Sequence, residues 1–230
     1  MTLLSIGLCV LFVRLGEWQW HKGVYRQAEW DAFARGADSP IAPGAQPLKS
    51  LPRFTRISVA GQWDAARQFL LDNRSHQGLP GYEVLTPLRL PGDRLLLVDR
   101  GWVPFTGSRA HLPDITLRDP GQVALTGRLD NLPAGGLALG HAAPAADASW
   151  PKVTSFPTFA ELAAALKHPV EPWMLLLDPT TADGFLRQWQ PPGLSPLRHW
   201  AYAIQWWGFA VTLVIIWGIM SAPRQEPKGS

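Results

Sequence analysis

His199 stands at the start of the most apolar segment of the chain, where an ionisable side chain is costly and suggests a function by default. The segment that follows, from Trp200 to Met220, carries no formal charge. On a helix, one face would carry His199, Ala203, Trp206, Ala210 and Leu213. A small residue one turn beyond a histidine, followed by an aromatic residue, would accept a flat macrocycle. Histidine is a common axial ligand of heme iron, so a heme contact is one interpretation of these residues.

The same residues also fit an interfacial anchor that binds no ligand. Four aromatic residues, Trp200, Tyr202, Trp206 and Trp207, would lie at the depth of the lipid head groups. A histidine at that depth can extend its polar ring toward water. From the residues alone the anchor is the commoner arrangement, and both interpretations stay open.

The remaining titratable residues show no catalytic pattern. Asp72, His76 and Asp99 could be drawn together as a triad, but His76 lies in RSHQGLPG, which predicts a solvated loop. A hydrolase would need a nucleophile beside a base, and the serines show no nucleophile-elbow pattern. Walker and dinucleotide-binding motifs are absent from the sequence. We therefore expect a protein without catalytic turnover.

Metal-binding patterns are also missing outside the final segment. His111, His141 and His168 lie among prolines and alanines at no ligand-like spacing, which argues against a zinc site. Cys9 is the sole cysteine, so an internal disulfide or a cysteine metal cage cannot form.

The net charge of +3 does not indicate nucleic-acid binding. The long middle of the chain is slightly acidic, and the excess of basic residues flanks the apolar ends. These residues are Arg14, Lys22, Arg26, Arg198, Arg224 and Lys228. Basic residues beside apolar segments suit phospholipid head groups better than a nucleic-acid groove.

Two segments predict membrane spans at the two ends of the chain. Residues 199–220 are long enough and apolar enough to cross a bilayer as a helix. The first span is predicted at residues 1–20, although Arg14 interrupts it. A basic first region and a cleavage site are lacking, so we expect a retained anchor rather than a secretory signal. With no Lys or Arg before Arg14, we expect the span to begin upstream of Met1, and flanking charges leave the orientation open.

The middle of the chain, residues 21–198, predicts a β-rich domain. An interfacial helix would continue through Phe33, and proline-rich connectors follow at 36–48 and 190–196. One amphipathic helix is predicted at Thr158–Lys167. Strands are predicted at Phe54–Trp63, Gln68–Asp72, Tyr82–Leu90, Arg94–Phe105, Gln122–Leu129 and Val170–Leu177. Short strands with one helix predict an antiparallel, barrel-like sheet.

A three-residue turn at Pro91–Asp93 sets the register of the central hairpin. The predicted pairs are Leu90–Arg94, Thr86–Val98, Val84–Arg100 and Tyr82–Trp102. Alternation then places Leu96, Val98, Arg100 and Trp102 on one face. Arg100 on such an apolar strand needs a partner, and backbone carbonyls, Asp72 or Asp99 could supply it.

Three separated stretches resemble the surfeit-locus protein 1 family. LGEWQWHKGVYR is similar to the motif that follows the family's first helix, through Gly16, Trp18 and Gln19; Lys22 and Arg26 stand where the family usually has arginine and lysine. GLPGYEVLTPL and LLLVDRGWVP resemble its central signature through Gly78, Gly81, Pro87, Val98, Arg100, Gly101, Trp102 and Pro104. HWAYAIQWWGFA resembles the second-helix motif through His199, Tyr202, Ala203, Gln205, Trp206 and Phe209. The matches occur in order and cover nearly the whole chain.

The resemblance implies an α+β membrane protein with two transmembrane helices flanking an antiparallel β-rich, barrel-like extracytoplasmic domain with one or two helices. Residues 1–20 and 199–220 would be the helices, 21–198 the domain and 221–230 a cytoplasmic tail. Both termini would be cytoplasmic and the domain periplasmic, in a bacterial inner membrane.

The function implied is that of an assembly factor for heme–copper cytochrome c oxidase, assisting heme a insertion or handover into the catalytic subunit. His199 would contact the heme iron, and Tyr202, Ala203 and Trp206 would line the binding site. The matching residues Gly16, Trp18, Gln19, Gly81, Arg100, Gly101 and Trp102 would be structural. Implied partners are the oxidase catalytic subunit, heme a synthase and the lipid bilayer. The alternative is a heme-free membrane scaffold for a nascent oxidase subunit.

Overall fold

The computed structural model describes residues 2–36, 39–44, 46–134 and 140–222. The chain divides into two compact units. A helical unit contains residues 1–34 and 191–230, and a β-unit contains Arg35–Gln190. Most of the predicted tail, from residue 223 onward, lies outside the described residues.

The described elements alternate little between helix and strand. In chain order they are α1 (Thr2–Arg35), a short 3-10 helix (Leu48–Ser50), β1 (Arg56–Trp63), β2 (Phe69–His76), β3 (Leu79–Leu90), β4 (Arg94–Pro104), β5 (Gln122–Asp130), β6 (Lys152–Thr154), α2 (Phe159–Leu166), β7 (Val170–Leu177) and α3 (Pro196–Ser221). All six predicted strands are confirmed with shifted ends, and the four predicted helical segments form three helices.

The helical unit consists of two helices, each long and apolar enough to cross a membrane. In α1 the predicted span and the predicted interfacial helix form one continuous helix of 34 residues. Pro196 lies in the first turn of α3, where its missing amide proton removes no helical hydrogen bond. The helices run antiparallel, since Phe12 contacts Trp206 whereas Gln19, later in α1, contacts the earlier His199.

The β-unit is built on one seven-stranded sheet in the order β1-β5-β7-β4-β3-β2-β6. The prediction of an antiparallel sheet is wrong for two pairs, because β4–β7 and β2–β6 are parallel. Parallel neighbours need a long crossover, and the chain between β4 and β7 supplies one. Strand β6 was not predicted, because three residues are too few to show alternation.

A further contact joins β1 to β3, through Gln62↔Arg89 and Trp63↔Leu88. With the neighbours β1–β5, β5–β7, β7–β4 and β4–β3, it completes a circuit of pairings through five strands. The main core cluster contains Ile57, Leu88, Leu96, Val98, Leu125, Leu129, Leu175 and Leu177, all nearly inaccessible to solvent. The sheet is mixed, because it contains both parallel and antiparallel pairs. Its barrel-like shape stays a prediction.

Helix α2 confirms the predicted helical segment closely. Thr158 is the N-cap, its side chain accepts from the amide of Glu161, and the Glu161 carboxylate accepts from the amide of Thr158. Lys167 ends the helix with a left-handed conformation, and its amide bonds to carbonyls of the last turn. Both residues were the predicted limits of this helix.

The predicted register of the central hairpin holds only near its turn. Leu90↔Arg94 and Thr86↔Val98 pair as expected, but a bulge follows between Glu83 and Leu85. Beyond it Trp102 pairs with Glu83, so the predicted Val84–Arg100 and Tyr82–Trp102 pairs are wrong. Tyr82 pairs with Val103 instead, and the predicted common face of β4 ends at the bulge. The extra residue lies in Arg100-Gly101, where Gly101 has a φ of 112° that only glycine adopts readily.

Arg100 on the bulged strand is 1% exposed, and polar groups of the β-unit surround its guanidinium. Nε donates to the carbonyl of Asp183 at 2.7 Å, while Nη1 donates to the side-chain oxygen of Gln68 and to the carbonyl of Ile115, both at 2.9 Å. The ring of Phe185 lies 4.9 Å from the guanidinium carbon. Burial lowers the pKa of Arg100 to about 10, so it remains cationic at neutral pH. Of the partners predicted, backbone carbonyls are confirmed; Asp72 and Asp99 bond elsewhere.

We expect Arg100→Met to lower the free energy of unfolding of the β-unit by about 3 kcal/mol, because several buried acceptors would lose their donor together. The measurement is urea unfolding of the full chain in detergent. Arg118→Met, at an exposed position, is the control and should change the free energy by less than about 0.5 kcal/mol. Equal effects of the two substitutions would show that the buried network contributes no special stability.

Candidate functional site in the helical unit

The helical unit is held together by two tryptophans that pack on two glycines. Gly16 and Gly23 are both buried in α1, and a Cβ on either would overlap an indole ring of α3. Gly16 lies under Trp207, and Gly23 lies under Trp200. The two glycines are seven residues apart in the sequence, and so are the two tryptophans. The same contact between a glycine and an indole therefore repeats after two helical turns. We call these four residues the Gly–Trp seam.

Other residues of the same interface complete the packing around the seam. Trp20 of α1 lies between the two indoles, with ring centroids 6.0 Å from Trp200 and 5.9 Å from Trp207. Ala203 is 0% exposed and Ala210 is 5% exposed. Small residues at such positions let two apolar helices approach closely, as in membrane helix pairs.

His199 is tied to α1 by a side-chain hydrogen bond within this interface. Its Nδ1 lies 2.8 Å from Oε1 of Gln19, a contact between residues 180 positions apart in the chain. Nε2 makes no hydrogen bond to the described residues. A neutral imidazole with one nitrogen bound to a polar partner and the other uncommitted has the donor atom that heme iron needs.

Around α3, the helix surface on one side of His199 is buried, and the surface on its other side is exposed. Ala203 lies about 40° from His199 around α3 and is covered by the helix packing, which leaves it no exposed surface, so its predicted contact with a macrocycle stays a prediction. Tyr202 and Phe209 lie to the other side and are 46% and 43% exposed. The accessible flank beside His199 is therefore aromatic. Trp206 borders it, and its ring stacks on Phe12 at 5.8 Å.

Basic side chains lie one to two turns from Gln19 on α1. Arg26 is half-buried, pairs with Glu29 at 2.5 Å and donates to the carbonyl of Pro192 at 3.2 Å. Lys22 is exposed. His21 is also exposed, and its Nδ1 lies 2.7 Å from the carbonyl of Glu17 on its own helix. Because His21 is about 200° from Gln19 around α1, it does not belong to the interface that holds His199.

The family-like residues of the β-unit pack against one another and against neighbouring segments of that unit. A Cβ at Gly81 would overlap the ring of Trp102 and the carbonyl of Val103, so the glycine makes room for this indole. The amide of Trp102 donates to the carbonyl of Leu186 at 2.9 Å. A Cβ at Gly101 would lie 2.7 Å from that same carbonyl oxygen. In the helical unit Gly16 is likewise structural, whereas Trp18 is 54% exposed.

Asp72, His76 and Asp99 each have separate surroundings. Asp72 pairs with Arg109, and the buried Asp99 accepts from the amide of Gly101 at 2.9 Å. Burial raises the pKa of Asp99 well above its usual range. His76 is not in a loop as predicted: it ends β2, with its ring 5.5 Å from that of Trp102. These partners give the three residues structural roles.

The helical unit also contains an apolar cavity of about 310 Å³ at the other end of the helix pair. It is lined by Thr2, Ser5, Ile6, Cys9, Val10, Leu213, Val214 and Trp217. It does not include His199. Among the described residues no group of three His, Cys, Asp or Glu side chains is placed to hold a metal ion.

Sequence reasoning missed the contacts that make this site specific. Gln19 was classed as structural and Gly23 was not singled out, although both lie on the face of α1 that meets α3. The available signal was a shared spacing, since Gly16 and Gly23 are as far apart as Trp200 and Trp207. That match becomes meaningful only when the two ends of the chain are aligned as antiparallel helices.

Comparison with known proteins places these observations in a family. Residues 6–211 match the model of the SURF1 family. SURF1-like proteins of Mycobacterium bovis and Mycobacterium tuberculosis are each 28% identical to the chain over 236 residues. Each match covers 95% of this chain and 83% of the relative. Residues 6–211 include the whole β-unit and most of both long helices.

We expect Gly23→Ala and Gly16→Ala each to destabilise the helical unit by about 1–3 kcal/mol, because the added methyl group displaces Trp200 or Trp207. Gly7→Ala is the matched control on the same helix, since nothing lies within 4 Å of its Cβ position. The measurement is thermal unfolding of the full chain in detergent, monitored through tryptophan fluorescence. Three equal transitions would contradict the packing described for the Gly–Trp seam.

Proposed function

Because the chain belongs to the SURF1 family, which is generally linked to the assembly of cytochrome c oxidase, we propose that it assists heme a insertion into the oxidase catalytic subunit. One observation carries the proposal. The imidazole of His199 is fixed through Nδ1 by Gln19, while Nε2 keeps its capacity to bind iron.

Two terminal helices of sufficient length and apolar character support a place in the membrane. We place the protein in a bacterial inner membrane as a multi-pass protein. Both termini are then cytoplasmic and the β-unit is periplasmic. His199, near the start of α3, would lie close to the periplasmic surface, where the recipient subunit and heme a synthase can be reached within the same bilayer.

The residues around His199 suit a cargo site better than a permanent cofactor site. His199 supplies one axial ligand, and the exposed Tyr202 and Phe209 offer aromatic surface for contact with a flat ring system. Trp206 borders that flank, whereas Ala203 belongs to the helix packing. A single ligand on an open flank binds moderately, which a protein that must release its cargo requires.

A heme-free scaffold is the second candidate, and one observation favours it. The face of α3 that carries the small residues Ala203 and Ala210 is covered by helix packing, so it is not open to a ligand. In this alternative His199 stabilises the helix pair through Gln19, and the protein supports a nascent oxidase subunit by helix contacts alone.

The test is an absorption spectrum of the full-length protein, purified after co-expression with heme a synthesis. We expect a reduced heme a band in the wild type and its loss in His199→Ala, because the iron would lose its protein ligand. His21→Ala is the matched control, since it removes an exposed imidazole from α1 at the same end of the helix pair.

Two results would contradict heme binding at His199. One is a wild-type protein that contains no heme a while its deletion still prevents oxidase maturation, which would favour the scaffold. The other is an undiminished heme band in His199→Ala.

A further inference from the structure

The hydrogen bond between His199 and Gln19 determines where the imidazole proton lies. Oε1 of Gln19 is a carbonyl oxygen, which accepts a hydrogen bond and cannot donate one. With Oε1 of Gln19 facing Nδ1 at 2.8 Å, a neutral ring makes this contact by donating from Nδ1. Nε2 then holds a lone pair that points away from the ring edge bound to Gln19.

The packing around the pair fixes this geometry. Gln19 lies three residues after Gly16 and four before Gly23, so the two ends of the Gly–Trp seam border it on α1. On α3, His199 immediately precedes Trp200, whose indole lies over Gly23. The His199–Gln19 contact therefore lies beside the Gly–Trp seam on both helices.

From this arrangement we propose that Gln19 is a positioning residue that holds His199 in the Nδ1–H tautomer and directs Nε2 toward the iron of heme a. The proposal rests on the function proposed above and assigns to Gln19 a role beyond helix packing. Partners of the second ring nitrogen commonly orient metal-binding histidines in this way, and their loss weakens metal binding about 10- to 100-fold.

The choice of an amide rather than a carboxylate has its own consequence for the bound cargo. A carboxylate on Nδ1–H would draw the proton strongly and make Nε2 a more basic ligand. The neutral amide of Gln19 orients the ring and adds less basicity, so the iron is held less firmly. Gln19 thus combines a fixed geometry with easy release, which suits transfer to another protein.

The first experiment tests the tautomer without any heme. The full-length protein, labelled with 15N-histidine in detergent, is compared by NMR as wild type, Gln19→Leu and Gln27→Leu, with His199→Ala to assign the signals. We expect Nδ1–H in the wild type and in Gln27→Leu, which removes a glutamine whose side chain bonds to Asp31 on its own helix. Gln19→Leu should shift His199 toward the Nε2–H form. A wild-type proton on Nε2, or no change in Gln19→Leu, would overturn the proposal.

The second experiment measures heme a binding and its release to apomyoglobin by absorption. We expect Gln19→Leu to bind heme a about 10-fold more weakly than the wild type. Gln19→Glu keeps an acceptor of equal length, so it should retain binding and release heme a more slowly. This variant also covers the case in which Gln19→Leu fails to fold.

The outcomes separate the two proposals. If the wild type binds no heme a, or His199→Ala binds it equally well, the proposed function fails, and the tautomer is judged by NMR alone. If the wild type binds through His199 but Gln19→Leu and Gln19→Glu bind and release heme a as the wild type does, the role of Gln19 fails and the function stands.

Discussion

The close contact of Trp200 and Trp207 with Gly23 and Gly16 is the constraint on which the helical unit depends. In a lipid environment, apolar surface gains little from being buried, so helix association relies on dispersion contacts and on hydrogen bonds. Each of the two indole rings packs directly against the backbone at a glycine, where it makes many dispersion contacts. The ring of Trp20 adds two aromatic contacts, each worth about 0.5–1.5 kcal/mol beyond the area it buries. The polar pair of His199 and Gln19 joins the same two helices beside this packing.

In the β-unit, the contacts around one buried side chain, Arg100, connect distant segments of the chain. Arg100 is a large cation in an apolar interior, and such a charge is tolerated when several acceptors surround it. The acceptors come from parts of the chain far apart in sequence: Gln68, Ile115 and Asp183. The arginine therefore ties three segments to β4. The bulge at Gly101 allows this, because it turns the strand where the guanidinium must reach its partners.

Local signals in the sequence were sufficient for most elements. The amphipathic pattern of Thr158–Lys167 marked α2, and the turn at Pro91–Asp93 set the register of its nearest pairs. The bulge could not be predicted, because alternation of side chains continues through it in the sequence and only the positive φ of Gly101 reveals it. Parallel pairing of β4 with β7 depends on a crossover that no local pattern encodes. For the candidate site, the sequence identified His199, but its partner lies 180 positions away.

The helical unit is also discontinuous along the chain, and this affects the order in which the protein can be made. Its first helix leaves the ribosome before the β-unit, and its second helix leaves last. Since domains fold largely as they emerge, α1 must persist without α3 while the residues between them are synthesised. The buried glycines of α1 are then exposed to whatever surrounds the helix. The Gly–Trp seam can therefore form only once α3 has followed the β-unit out of the ribosome, and the imidazole of His199 meets Gln19 no earlier than that.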